Sequence, residues 1–257
     1  MRDEVLAHAR LSVDARGVAE LTISGAKSIN ILGTPQIAEL TRVLTTLRDE
    51  PALRVLVLRG SGDKAFIGGA DIHEMSTLSP ATAQQFITRL RDLCDAVRAV
   101  PVPVIARMAG WCLGAGLEVA AACDLRIASS DARLGMPEVR VGIPSVIHAA
   151  LLPRLIGQSA AAWLLLTGEA IDAATAHAWG LVHRVVERAQ LDEAVARCSA
   201  ELATLGPAVL RQQKAMLRAW ETLPLDDAIA ASVGEFGRAF ATGEPQRYMQ
   251  AFKDRPR

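Results

Sequence analysis

Residues 110–124 read Gly110-Trp111-Cys112-Leu113-Gly114-Ala115-Gly116-Leu117-Glu118-Val119-Ala120-Ala121-Ala122-Cys123-Asp124. A strand pattern, Val102 to Met108, leads into this stretch. Gly110 to Gly116 forms a glycine-rich turn, and Leu117 to Cys123 reads as a buried helix. Strand, glycine turn and helix in that order predict an α/β chain. Glycines let the backbone turn sharply and let a ligand approach it closely. The first N–H groups of the following helix lack intrahelical partners and carry the positive end of its dipole. Such a turn suits an oxygen that gains negative charge. Simple packing of a helix on a strand explains an isolated turn of this kind equally well. Glu118 is the anomaly, because a carboxylate among apolar helical residues is costly unless a site hydrates it or a partner pairs with it.

Working outward, Val18 to Ser24 alternates apolar and polar residues, as a half-buried strand does. Thr34-Pro35 predicts a helix start, with Thr34 as N-cap and Pro35 in the first helical position. Ile37, Leu40, Val43, Leu44 and Leu47 give that helix one apolar face as far as Arg48. Arg54 to Arg59 reads as a buried strand. A second glycine loop, Phe66-Ile67-Gly68-Gly69-Ala70-Asp71-Ile72, follows it. Ser79-Pro80 opens a helix that reaches Val100, with Phe86, Ile87, Leu90, Leu93, Cys94 and Val97 as its stripe. Pro101 and Pro103 end it. Asp124 to Ala128 is a further strand. Helices are expected over about 145–156, 158–167, 172–179, 191–206, 207–221 and 224–241, and Val182 to Val186 as a last short strand. The layout predicts a parallel or mixed sheet covered by helices. Residues 1–205 form the expected core and 206–257 a helical C-terminal region.

Composition narrows the function classes. The chain has 257 residues, 51% hydrophobic and 22% charged, which suits one large domain with a filled core. Lys plus Arg and Asp plus Glu are both 28, so the formal net charge is zero. A neutral chain lacks the electrostatic footprint of a nucleic-acid or anionic-membrane binder. Cys94, Cys112, Cys123 and Cys198 show no metal or redox spacing and are expected to be reduced and buried. Met1 to Arg10 lacks the apolar centre of a signal peptide, so a soluble cytoplasmic protein is expected.

Several catalytic motifs are missing. The glycine turn at 110–116 resembles a dinucleotide loop, but it lies mid-chain, and the one tyrosine, Tyr248, has Phe252 rather than lysine four residues on. Ser159, in Gly157-Gln158-Ser159-Ala160-Ala161, lacks the second glycine of a nucleophile elbow. His8, His73, His148, His177 and His183 have no metal-ligand spacing, so no metal is expected. What remains is two glycine loops and two acids, Glu118 and Glu138. Taken singly, Glu118 is better explained by a salt bridge to arginine and Glu138 by capping of the turn after Pro137. Taken with the two loops, they suggest paired acid and base work.

Three segments, Phe66 to Met75 (FIGGADIHEM), Gly110 to Asp124 and Leu134 to Gly142 (LGMPEVRVG), resemble the signatures of the enoyl-CoA hydratase/isomerase family, also called the crotonase family. The resemblance covers nearly the whole chain. It includes Ala26-Lys27-Ser28-Ile29-Asn30 near the start, and Phe240 and Ala251-Phe252-Lys253 near the end. It implies a spiral of ββα units, assembled as a homotrimer or homohexamer. Ala70 and Ala115 would supply backbone N–H groups to a thioester oxygen. Glu118 would mainly activate water, and Glu138 would exchange a proton at the α-carbon. Lys27, Ser28, Ile29, Gly68, Ala70, Asp71, Ile72, Gly114, Phe252 and Lys253 fall in segments that bind CoA or the acyl group in the family. The implied reaction hydrates a 2-enoyl-CoA to a 3-hydroxyacyl-CoA, with CoA carried on the substrate and no separate cofactor. Isomerisation, or another lyase or hydrolase reaction of an acyl-CoA, is the implied alternative.

The sequence departs from the family pattern in two places. His73 stands where many relatives have lysine, and a neutral imidazole attracts phosphate less strongly at pH 7. After Gly142, many hydratases run through glycines into a helix. Here Ile143-Pro144-Ser145-Val146-Ile147-His148-Ala149-Ala150 is bulkier and is expected to reshape the acyl pocket or the water position.

Overall fold

A computed structural model describes residues 2–25 and 27–254. Ala26, in the first of the family-like segments, lies outside the described residues. The larger of two sheets is built around Val18–Ile23 (β3), Val55–Gly60 (β4), Val104–Met108 (β6), Leu125–Ser129 (β8) and Arg184–Val186 (β11), all parallel neighbours in that order. Arg2–Val5 (β1) and Ala9–Val13 (β2) extend one edge antiparallel. The smaller sheet joins Ala65–Ile67 (β5), Trp111–Leu113 (β7) and Arg133–Gly135 (β9) in parallel, with Ala170–Asp172 (β10) antiparallel at the edge.

The two sheets are linked turn by turn. β4 in the large sheet runs on into β5 in the small one, β6 into β7, and β8 into β9. The first two of these steps end in a helical segment, Ile72–Met75 (α2) with Pro80–Ala99 (α3), and Ala115–Ala122 (α4). The third ends in the 3-10 turn Pro137–Val141. This repetition is the expected ββα spiral. Buried parallel strands carry apolar residues on both faces. In β4, Leu56 and Leu58 enter the main core, and Val55 and Val57 face a second one. That second core is closed by Leu191, Ala194 and Val195 of Leu191–Thr204 (α7).

The helices follow their apolar periods. Thr34–Arg48 (α1) buries Ile37, Leu40, Val43, Leu44 and Leu47. Its start differs from the expected capping. Thr34 is already helical, because its N–H and hydroxyl both turn to the Glu74 carboxylate of α2, the N–H at 2.9 Å. In α3, Ser79 caps as expected by accepting the Thr82 N–H at 3.3 Å, and Phe86, Leu90, Leu93, Cys94 and Val97 are buried. Leu152–Thr167 (α5) is interrupted at Gly157 (φ 77°, ψ 161°), where two helices were expected to meet. The stretch Ile147–Thr167 is long and apolar enough to span a membrane by composition, but this break divides it, and Leu152, Ile156, Ala161 and Leu164 pack into the core.

Ala173–Ala178 (α6) precedes β11. The chain ends in Pro207–Trp220 (α8), Leu225–Ala241 (α9) and Glu244–Lys253 (α10). α8 docks on the sheet through buried Lys214. Its Nζ meets the Asp124 carboxylate at 2.7 Å and the Val102 carbonyl at 2.9 Å. Glu244 of α10 accepts the Ala208 and Val209 N–H groups, both at 3.0 Å, so it caps α8 from a distant position. The four cysteines are free; three are buried, and Cys198 is half-buried rather than buried as expected.

Candidate active site

The parallel strands of the small sheet point the same way, and each delivers a site element from its carboxyl end. Gly68-Gly69-Ala70 follows β5, Gly114-Ala115 follows β7, and Met136-Pro137-Glu138 follows β9. The two glycine loops and both acids therefore meet in one cleft of about 270 Å³. Ala70, Ala115, Glu118 and Glu138 all line it. The rest of its lining is largely apolar, with Phe86, Leu90 and Ile87 from α3, Met75 from α2 and Val141, Ile143, Pro144 and Val146 at the mouth, joined by Arg140 and Ser145.

Ala115 opens α4, so its N–H is one of the four that have no partner within the helix. Gly114 adopts φ 52° and ψ −120° before it, a conformation that favours glycine. A Cβ on Gly114 would also lie 2.3 Å from Glu138 Oε1, so the carboxylate rests directly against this turn. A Cβ on Gly116 would lie 2.2 Å from the Ile67 carbonyl, which explains how α4 starts in contact with β5. On the other loop, Gly68 donates to the Ile29 carbonyl at 2.7 Å and Asp71 to the Leu32 carbonyl at 2.9 Å. These bonds anchor the backbone on both sides of Ala70.

Glu118 is 4% exposed and sits four residues into α4, facing the cleft. Its Oε1 accepts the Ala149 N–H at 3.0 Å. Among the described residues it forms no ion pair, so the salt-bridge reading of this acid fails. Burial pushes its carboxyl up to about 8; the Ala149 bond pulls the other way, and Glu138 adds repulsion. Glu138 is half-buried, and its Oε2 accepts the Ser145 hydroxyl at 3.0 Å. Desolvation also holds its carboxyl above the ordinary value, opposed by its hydrogen bonds. Two adjacent acids pushed upward in an apolar cleft are suited to exchanging protons near neutral pH.

Not every expected residue reaches this cleft. Gly68, Ala70, Ile72 and Gly114 line it. Asp71 instead caps α2, accepting the His73 N–H at 2.8 Å and the Glu74 N–H at 3.4 Å. Lys27 lies in a left-handed turn (φ 60°), with its Nζ 3.3 Å from His73 Nε2. Ser28 is exposed, and Ile29 packs against Gly68. Phe252 and Lys253 lie on α10 and are not among the residues that line the cleft in a single chain. Two contributors, Ser145 and Ala149, were not singled out from sequence. The one sign of them was the bulky, partly polar run that replaces the expected glycines after Gly142.

The model of the enoyl-CoA hydratase/isomerase family matches residues 14–257. This chain belongs to the enoyl-CoA hydratase/isomerase family. The crotonyl-CoA hydratase of Syntrophomonas wolfei is 36% identical over 239 residues, covering 93% of this chain and 92% of its own. The (E)-benzylidenesuccinyl-CoA hydratase of Thauera aromatica is 34% identical over 241 residues, covering 93% of each. Among solved structures, an enoyl-CoA hydratase of Mycobacterium smegmatis superposes with a TM-score of 0.93 at 30% identity, covering 98% of this chain and 99% of its own. One from Bacillus anthracis gives 0.90 at 31%, covering 95% and 96%. As a member of the enoyl-CoA hydratase/isomerase family, the chain is an enzyme with a mixed α/β fold of the crotonase type, and its substrate is an acyl-CoA thioester.

Proposed function

We propose that the cleft adds water across the double bond of a 2-enoyl-CoA to give a 3-hydroxyacyl-CoA. The observation that carries this reading is the pair of glutamates, both with raised proton affinity, facing one apolar cleft beside the start of α4. The Ala70 and Ala115 N–H groups hold the thioester oxygen. As water attacks the β-carbon, the double-bond electrons move towards the carbonyl, and an enolate-like oxygen forms. Donors already aimed at that oxygen stabilise it without rearrangement, and losing one such donor costs about 2.7–4 kcal/mol. Glu118 in its ionised form, the minor one below about pH 8, takes the proton from the attacking water, and the water oxygen bonds to the β-carbon. Glu138 delivers a proton to the α-carbon as the enolate collapses. CoA enters and leaves as part of the substrate.

The same reading makes the enzyme a homotrimer or homohexamer. In α9, Leu225, Ile229, Val233, Phe236 and Phe240 recur at helical spacing, and all are exposed in the single chain. An uncovered apolar stripe of this length marks a docking face for another copy. Such assembly offers the route by which Phe252 and Lys253 would approach a neighbour's CoA site.

The test follows the ultraviolet absorbance of the conjugated thioester of crotonyl-CoA. Wild type should bleach it, and Glu118→Gln and Glu138→Gln should each slow the loss by about 10²–10⁴-fold, the usual range for a positioned acid or base. Bleaching unaffected by either substitution would sink the two-carboxylate mechanism. A shift of the double bond without water addition would instead mark an isomerase.

A further inference from the structure

We propose that Ser145 is a positioning residue that fixes the orientation of the Glu138 carboxylate. This rests on the reading of Glu138 as one of two working acids. Glu138 stands on a 3-10 turn, Pro137–Val141, a less regular support than the α-helix that carries Glu118. Its side chain needs some other constraint. One carboxylate oxygen, Oε1, faces the bare Cα of Gly114. The other, Oε2, accepts the Ser145 hydroxyl at 3.0 Å. The backbone adds a second tie, since the Ile143 N–H donates to the Glu138 carbonyl at 3.2 Å. Residues 138–145 therefore close on themselves at both main chain and side chain. The neighbours at the mouth, Val141, Ile143, Pro144 and Val146, are apolar and offer the carboxylate no side-chain donor.

The same segment reaches the other acid. Four residues after Ser145, the Ala149 N–H donates to Glu118 Oε1. Between them, Ile147 takes φ 43°, a left-handed conformation that a β-branched residue rarely adopts. Backbone strain of this kind persists where the surroundings over-determine it. The turn carries the hydroxyl to one glutamate and an amide to the other.

The charged groups around Glu138 decide the sign of the pH effect. Glu118, from α4, repels negative charge in the same cleft. Arg140, on the same 3-10 turn, also lines the cleft, but its Nε donates to the Thr167 carbonyl at 3.2 Å. The α3 residues that line the cleft, Phe86, Ile87 and Leu90, are uncharged, and so is Met75 of α2. The Ser145 hydroxyl is thus the side-chain hydrogen bond that favours the ionised form of Glu138.

The test measures kcat, KM and the kcat–pH profile with crotonyl-CoA for wild type, Ser145→Ala, Ser145→Thr and Glu138→Gln. Ser145→Ala should lower kcat by about 10-fold, the scale of a lost hydrogen bond to a charged group, with KM little changed. The limb of the profile that Glu138 sets should move to higher pH, because the carboxylate has lost a donor. Ser145→Thr, which keeps the hydroxyl, should restore both. A merely structural role would lower the melting temperature and leave the limbs in place. Unmoved limbs in Ser145→Ala, with Glu138→Gln inactive, would overturn the assignment of Ser145 alone. Full turnover by Glu138→Gln would overturn the two-acid reading and the assignment with it.

Discussion

Glu118→Gln should make the protein more stable while slowing turnover by about 10²–10⁴-fold, and the gain in stability should grow with pH. In the folded chain the Glu118 carboxyl is raised to about 8 from the ordinary 4.5. Below 4.5 the group is protonated in both folded and unfolded chains and costs nothing. As pH rises from there, the unfolded chain releases its proton while the folded chain still holds it, so stability falls until about pH 8. One pH unit corresponds to about 1.4 kcal/mol, so the accumulated cost is about 1.4 kcal/mol at pH 5.5, about 3.5 at pH 7 and about 5 above pH 8. Glutamine has the same shape and keeps an oxygen for the Ala149 N–H, but it carries no charge to bury. At about 2 °C per kcal/mol for a chain of this size, the variant should melt about 10 °C above wild type at pH 8.5 and only about 3 °C above it at pH 5.5. Differential scanning calorimetry at equal protein concentration reads this difference, in which the titrating groups other than the coupled Glu138 cancel. A difference that stays flat with pH, or a variant less stable than wild type at pH 8.5, would refute the claim that burial strains this carboxylate.

Three further outcomes follow from the geometry. Gly114→Ala should lower kcat by about 100-fold, since its Cβ would displace the Glu138 carboxylate from 2.3 Å away and its φ of 52° strains any other residue; steady-state kinetics with crotonyl-CoA would check it. Phe86→Ala should destabilise the chain by about 3–5 kcal/mol in urea titrations, and should shift the preference in kcat/KM towards longer acyl chains by opening the apolar end of the cleft. Phe236→Asp, in the middle of the exposed α9 stripe, should dissociate the assembly to monomers in sedimentation velocity while leaving the far-ultraviolet circular dichroism unchanged.

Legibility in the sequence followed the length of the periodic signal. α3 spans 20 residues and repeats its apolar stripe several times, so its cap, face and end were all readable. β5, β7 and β9 have three residues each, too few for any alternation to show; β5 and β7 fall in stretches read as glycine loops, and β9 in a segment seen only through the resemblance. β1 is an edge strand with its side chains largely in water, so it lacks the burial pattern that marks a strand. Within the site, Glu118 stood out because a charge in an apolar helix is conspicuous. Glu138 was visible through the resemblance, and the three-dimensional contact with Gly114 was not. Ser145 and Ala149 act through a hydroxyl and a backbone amide, neither of which leaves a pattern in one sequence. Phe252 and Lys253 rested on resemblance alone, and a single chain leaves them on α10, apart from the cleft-lining residues.

The delivery of one site element from each short strand has a consequence for how the chemistry can change. The groups assigned to grip the thioester oxygen sit after β5 and β7, on the first two turns of the spiral. The acid assigned to the α-carbon, and the segment that orients both acids, come after β9, on the third. On the proposed mechanism, holding the activated carbonyl and protonating its α-carbon are written into separate stretches of chain, with the water-activating Glu118 on the same turn as Ala115. On that mechanism, exchanging residues 136–149 for another sequence should leave the grip in place and alter the outcome of the enolate. A scaffold partitioned in this way can acquire a new reaction by exchanging a single loop, without having to learn again how to recognise a thioester.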